Sequence, residues 1–112
     1  MQRVREQVQV PEQIYSVTWR SEPVTVAVLD TGIAYHPDLA GHLLCFRDFV
    51  EKSSLPYDDN GHGTHISGII GAGGKGAIHG VAPGCYLWSC KVLDKNGNGK
   101  IQDTCRAVED IV

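Results

Sequence analysis

Apolar residues are arranged in this chain both as short continuous runs and as helically spaced stripes. The first run, at 24–30 (VTVAVLD), is almost continuously apolar and β-branched, which predicts a parallel strand buried on both faces. Two further strands are predicted at 42–50 (HLLCFRDFV) and 85–93 (CYLWSCKVL). Helices are predicted at 62–71, which carries isoleucines at helical spacing, and at 101–112, which has an apolar stripe. Strands that alternate with helices predict an α/β fold with a parallel sheet.

The first part of the chain has a different pattern. Residues 1–10 are polar and predict a weakly attached segment, whereas Pro11 suits the first turn of a short helix near 11–17. We therefore treat residues 1–20 as an extension with a short helix and 21–112 as the folded part. The polar start lacks the apolar centre of a signal peptide, so we expect a cytoplasmic protein unless a leader was removed.

Composition excludes several classes of function. A length of 112 residues with 42% hydrophobic and 21% charged residues suits one globular domain with a core. The net charge is −3 and basic residues are not clustered, so neither nucleic acid nor a membrane surface is an expected partner. No apolar run approaches the roughly 20 residues of a membrane span.

The four cysteines do not form a Cys-x-x-Cys pair, which disfavours a zinc knuckle or a thioredoxin motif. In a reducing compartment we expect them to be small buried apolar residues. The alternative is a disulfide. The cysteines are Cys45, Cys85, Cys90 and Cys105, and the disulfides considered are Cys85–Cys90 and Cys45–Cys90.

Candidate chemistry begins where the first predicted strand ends, at Asp30 in an Asp-Thr-Gly sequence. Such an aspartate could belong to a two-aspartate protease, could orient a catalytic histidine, or could mark a strand end with no chemistry. The first alternative requires an all-β protein with two carboxylates sharing a proton, and the predicted helices disfavour it.

A histidine follows at the start of the next predicted helix. His62 lies between Gly61 and Gly63, which let the backbone approach closely and leave the imidazole exposed. A general base needs such access, and a carboxylate such as Asp30 at the carboxyl end of a parallel strand can fix its tautomer. The alternative is a helix start with an incidental histidine.

Four motifs in order resemble those of the subtilisin family of serine proteases: VAVLDTGI followed by HPDL, NGHGTHISG, GVAP, and a strand ending in KVLD. The resemblance covers 24–112. It implies a three-layer parallel sheet of subtilisin type, with 21–112 as the amino-terminal part of an incomplete catalytic domain. Asp30 would be the triad aspartate, His62 the triad base, and His65 a structural residue.

The resemblance also implies where a peptide substrate would bind. Asp59 and Asn60 would border the cleft near His62. The segment of Gly97, Asn98 and Gly99 would pair with the substrate backbone as an added strand.

The chain departs from the family pattern because it contains no Gly-Thr-Ser-Met-Ala segment with the nucleophile and no oxyanion-hole asparagine. We therefore expect the 112-residue chain to be inactive alone, although its parent would be an endopeptidase. The alternative is a non-catalytic remnant or pseudo-protease that binds peptides or partners.

The missing part would expose an edge of strand 24–30, beside Val24, Val26 and Val28, and the apolar stripe of the last helix. From this we expect self-association or a complementing carboxy-terminal chain.

No cofactor is certain, but the resemblance suggests calcium bound through Asp38. The glycine-rich segment 71–80 lacks the asparagine that would complete the calcium site. Segment 94–105 is similar to an EF-hand loop, yet Cys105 replaces the bidentate glutamate. A zinc site is disfavoured because no glutamate neighbours its first histidine; the histidines considered are His62, His65 and either His36 or His79.

Overall fold

A computed structural model describes residues 24–73, 79–83 and 85–112. The proposed extension and its short helix near 11–17 lie outside the described residues. The helices and strands are β1 Thr25–Asp30, α1 Pro37–Ala40, β2 Leu43–Asp48, α2 His62–Gly71, β3 Tyr86–Lys91 and α3 Ile101–Ile111. The three predicted strands and two long predicted helices are therefore confirmed. The sequence analysis missed the short helix α1, which begins at Pro37 after an N-cap in which the His36 ring accepts the amide hydrogen of Asp38.

The three strands form one parallel sheet in the order β1-β3-β2, which confirms the α/β class. Lys91 at the end of β3 is in register with Asp30 of β1 on one side and with Asp48 of β2 on the other. The carboxyl ends of all three strands therefore lie side by side, where α/β folds place their functional groups.

The sheet has a core on each face. Leu87 of β3 packs in one cluster with Val28 and, from α2, Ile70. Its neighbour along the strand, Trp88, packs in the other cluster with Ala107 of α3. Because successive strand residues point to opposite faces, β3 supplies both cores and the fold has three layers.

The prediction that β1 is buried on both faces is wrong for much of its length. Val28 and Asp30 are buried, but Thr25 is exposed and Val26 is half-buried. The reason is that β1 has a neighbouring strand only on its β3 side within the described part of the chain.

Helix α3 buries Asp103 and Ala107, whereas its predicted apolar stripe is largely exposed, with Ile101 80% and Val108 49% accessible. The sequence analysis expected this stripe to be exposed, and the structure agrees.

The expectation of buried cysteines holds for Cys85 and Cys90 only. Cys45, on the edge strand β2, is half-buried, and Cys105 on α3 is exposed. All four are free thiols, so neither disulfide considered is formed. Burial raises the pKa of the Cys90 thiol to about 11, which keeps it protonated and unreactive.

Among the described helices, none combines the length and apolar character required to cross a bilayer.

Candidate active site

The end of β1 and the start of α2 bring Asp30 and His62 into direct contact. The Nδ1 atom of His62 lies 2.9 Å from Oδ1 and 3.0 Å from Oδ2 of Asp30. Asp30 is buried, with 8% of its surface accessible, whereas the His62 side chain is 62% accessible. The site thus consists of a sheltered carboxylate behind an imidazole that solvent can reach.

This contact decides which nitrogen of His62 carries hydrogen. A carboxylate accepts hydrogen bonds, so Nδ1 is the donor, and in the neutral imidazole Nε2 then carries the lone pair. The backbone amide of Thr31 donates a second hydrogen bond, of 2.7 Å, to Oδ1 of Asp30 and holds the carboxylate in place. Within the part of the chain that the structure describes, Asp30 is the one hydrogen-bond partner of the His62 ring.

His62 is held at the first position of α2 because side chains from other segments satisfy the first amides of the helix. The amide of His62 donates to Oδ1 of Asn60 at 3.1 Å. The second amide donates to the hydroxyl of Thr31, and the third donates to Oδ2 of Asp58, each at 2.8 Å. Since Thr31 follows Asp30 directly, the same cap that starts the helix also joins it to the end of β1.

Asp58 organises this junction. Its carboxylate accepts hydrogen bonds from the hydroxyls of Thr31 and Thr64, at 2.8 and 2.6 Å, and from the amide of Gly61. Burial alone would raise the pKa of Asp58, but the hydrogen bonds from Thr64, Gly61 and Thr31 outweigh it and hold this pKa well below the ordinary value. Asp58 is therefore ionised over the whole neutral range.

Two glycines allow the close approach of β1 and α2. A β-carbon on Gly63 would lie 2.3 Å from the carbonyl oxygen of Gly32. Gly32 itself has φ +122°, and a β-carbon there would lie 2.1 Å from the carbonyl oxygen of Tyr57. Any side chain at these positions would push His62 away from Asp30.

A buried lysine, which the sequence analysis missed, lies beneath the site. Lys91 is 0% accessible, and its Nζ donates to the carbonyl oxygens of Thr31 at 2.7 Å and Leu93 at 2.9 Å. Its third partner is Oδ1 of Asp59 at 2.8 Å, and the ring of Tyr57 lies 5.0 Å away. A buried charge needs such complete pairing. The signal in the sequence is a single lysine inside the apolar segment 85–93.

Tyr57 in turn is fixed from β2. Its hydroxyl donates to Oδ2 of Asp48 at 2.8 Å, and that carboxylate also accepts the amides of Val50, Glu51 and Ser53. This network sets the path of the loop that leads to Asp58 and Asp59.

The predicted substrate-binding residues lie in two groups. Asp59 is paired with Lys91 and Asn60 with the start of α2, so both are held near His62. Gly97, Asn98 and Gly99 are exposed on a turn in which Gly97 has φ +80°. The amide of the Asn60 side chain donates to the carbonyl oxygen of Lys95 at 2.9 Å and ties the two groups together.

The similarity of 94–105 to an EF-hand loop has another explanation in the structure. The carboxylate of Asp94 accepts the amides of Asn96 and Asn98 at 2.9 and 3.0 Å, so it stabilises the turn. These amides lower the pKa of Asp94. No group of three or more His, Cys, Asp or Glu side chains in the described ranges has the geometry of a metal site.

Asp38 is the residue through which calcium was expected to bind. Its carboxylate is buried beside a cavity of about 320 Å³ that is also lined by His36 and His65. Asp38 is the one carboxylate among the described residues of this lining, and calcium requires six to eight oxygen ligands. The described residues therefore supply one carboxylate ligand to a calcium site, and calcium at Asp38 stays a prediction.

Comparisons with known proteins identify the family of this chain. The family model of the subtilase family matches residues 21–112. Serine protease AprX of Bacillus subtilis (strain 168) is 47% identical over 95 residues, which are 82% of this chain and 22% of that protein. Thermitase of Thermoactinomyces vulgaris is 43% identical over 77 residues, or 66% and 28% of the two chains. Subtilisin Savinase of Lederbergia lenta is 41% identical over 87 residues, or 77% and 32%.

The matches to these three relatives span about a fifth to a third of their length. The motifs around Asp30 and His62 lie inside the region that the family model covers. The chain therefore belongs to the subtilase family.

Proposed function

We propose that this chain carries the aspartate and the histidine of a serine endopeptidase whose Ser-His-Asp triad cleaves peptide bonds. The observation that carries the proposal is the contact of 2.9 and 3.0 Å between Nδ1 of an exposed His62 and the carboxylate of a sheltered Asp30. Exposure gives the imidazole access to a substrate. Burial of the carboxylate preserves the strength of the interaction that orients the imidazole.

In this mechanism Nε2 of His62 takes the proton of a serine hydroxyl as the oxygen attacks the scissile carbonyl carbon. Asp30 stabilises the imidazolium that results and keeps its own negative charge. The imidazolium then gives the proton to the leaving amine, which departs as an acyl-enzyme forms. Water hydrolyses this acyl-enzyme with His62 again acting as the base.

The serine is proposed to come from outside this chain. Among the described residues no serine hydroxyl is a hydrogen-bond partner of His62, and the hydroxyls of Ser67 and Ser89 are buried in the core. We accordingly expect the 112-residue chain to be inactive by itself. The substrate would be a peptide or protein whose backbone lies along Gly97, Asn98 and Gly99, with Asp59 and Asn60 at the border of the cleft.

The test uses the complete gene product and measures both fluorophosphonate labelling and the hydrolysis of peptides. His62→Ala should lower kcat/KM by about 10⁴-fold to 10⁶-fold. His65→Ala is the matched control, because His65 is an exposed histidine of the same helix and does not contact Asp30. Asp30→Asn should lower kcat by about 10⁴-fold because the amide would favour the wrong tautomer.

Activity that survives His62→Ala would contradict the assignment. Labelling of the isolated 112-residue chain at one of its own serines would contradict the proposed origin of the nucleophile. A complete gene product that binds peptides but neither reacts with the probe nor hydrolyses them would favour a pseudo-protease.

Three related expectations also remain proposals. We propose that the open edge of β1 and the exposed stripe of α3 are covered in the assembled protein by a complementing chain or a second copy. A monomer that stays soluble with this edge free, seen by light scattering at high concentration, would contradict this.

Calcium binding at Asp38 remains a prediction. It can be tested by measuring the melting temperature as calcium is added. One relative is named minor extracellular protease Epr, which supports an exported location over a cytoplasmic one.

A further inference from the structure

A groove of about 450 Å³ adjoins the proposed substrate segment on the side of α3. Asn98 and Gly99 form one wall, and Phe49 and Val92 supply its apolar surface. A second groove, of about 570 Å³, shares Phe49 with it. Neither Asp30 nor His62 lines these grooves, so a side chain bound there would lie some residues away from the scissile bond.

Three cations line the first groove, namely Lys52, Lys100 and Arg106. The carboxylates in the same lining are already engaged. Asp94 accepts two backbone amides of its own turn, and Asp103 lies 3.8 Å from Arg106. Within the described part of the chain, Lys52 and Lys100 have no acidic partner.

The backbone holds Lys52 in a fixed position. Lys52 has φ +62°, a conformation that residues other than glycine rarely adopt. Its neighbours Glu51 and Ser53 both donate their amides to the buried carboxylate of Asp48, which locks the loop on either side of the lysine. A strained but well-anchored residue beside a groove is typical of binding sites.

We propose that this groove, lined by Lys52, Lys100 and Arg106, is a specificity subsite for an acidic side chain of the peptide substrate. The proposal rests on the proposed function and deepens it. A guanidinium matches the geometry of a carboxylate, lysines add point charges, and Phe49 packs against the methylene groups of a glutamate. The lining carries three cationic and two carboxylate side chains, so its net charge is +1, and the two lysines are the cations without an acidic partner among the described residues.

The test uses the complete gene product and quenched fluorescent peptides in which one glutamate is moved through every position. Each peptide is paired with its glutamine counterpart, which has the same shape without the charge. Exposed ion pairs each contribute about 1.5-fold to 5-fold. We therefore expect kcat/KM to favour glutamate by roughly tenfold at one position at low salt, and this preference to shrink as salt is raised.

The double variant Lys52→Gln and Arg106→Gln should bring the ratio of glutamate to glutamine close to one. Lys95→Gln is the matched control, since Lys95 is an exposed lysine on the neighbouring turn that does not line the groove. It should keep the ratio of the unmodified protein. The salt dependence of the unmodified protein provides a second measurement that needs no variant.

An active protein with a ratio near one at every position would overturn the subsite and leave the proposed function intact. So would a preference that the double variant retains. A protein that cleaves no peptide and reacts with no fluorophosphonate would overturn the proposed function and this inference together.

Discussion

Replacement of Lys91 by methionine should destabilise the protein by about 3 kcal/mol. Nζ donates three hydrogen bonds of 2.7 to 2.9 Å, and methionine has a similar length but no donor. The carbonyl oxygens of Thr31 and Leu93 would each lose a partner, at about 1 kcal/mol or more apiece. Removal of one member of a buried pair typically costs about 3 to 5 kcal/mol.

The lower end of that range is appropriate because Asp59 is not deeply buried. Its side chain is 36% accessible, so water can solvate the carboxylate after its partner is lost, and the contribution of the ion pair must be discounted. Contacts of the buried methionine with the ring of Tyr57 would recover part of the loss.

The measurement is urea denaturation followed by the fluorescence of Trp88, which lies on β3 three residues before Lys91. Lys95→Met is the control, because the exposed Lys95 makes no ion pair among the described residues and its replacement should change the free energy of unfolding by less than about 0.5 kcal/mol. If the free energy of unfolding of Lys91→Met lies within about 1 kcal/mol of that of the unmodified protein, the three hydrogen bonds do not have the assigned role.

Three further outcomes are expected. Gly63→Ala should lower the free energy of unfolding by at least about 3 kcal/mol, because its β-carbon would lie 2.3 Å from a backbone oxygen. Gly41→Ala, which has open space around its β-carbon, should lower it by less than about 0.5 kcal/mol. Equal melting temperatures of the two variants would contradict this. The lowered pKa of Asp58 means that its stabilisation is present above the unfolded value of about 3.9 and is lost as pH falls through the lower folded value. Asp58→Asn should therefore lower the free energy of unfolding by about 2 kcal/mol at neutral pH, and the variant should lose less stability on acidification. An unchanged pH profile of the urea midpoints would argue against this role of Asp58. Thiol labelling mapped by mass spectrometry should modify the exposed Cys105 well before Cys90, which is buried and has a pKa of about 11; equal rates would contradict the described burial.

The candidate pair was predictable because local patterns carried it. A continuous β-branched run predicts β1, and an Asp-Thr-Gly at its end places Asp30 at the carboxyl edge of the sheet. The glycines around His62 and the isoleucines after it predict the start of α2. The resemblance to a family then connected two residues that lie 32 positions apart.

The support of that pair was not predictable, because its partners come from distant segments. In the sequence, Lys91 is a single charged residue in an apolar strand, and a lone lysine is ordinarily expected at the surface. Its burial depends on Thr31, 60 residues earlier, and on Asp59 in the loop before α2.

The sequence by itself determined the three strands, the two long helices and the α/β class, and it singled out the residues of the candidate site, because hydrophobic period, glycine placement and motif order are local properties of the chain. Only the tertiary structure decided which surface each element buries. It left Ile101 of α3 exposed while Ala107 was buried, and it converted Lys91 from an expected surface charge into a buried anchor. The physical reason is that burial and pairing depend on which segments meet in space, and the order of residues along one segment does not contain that information.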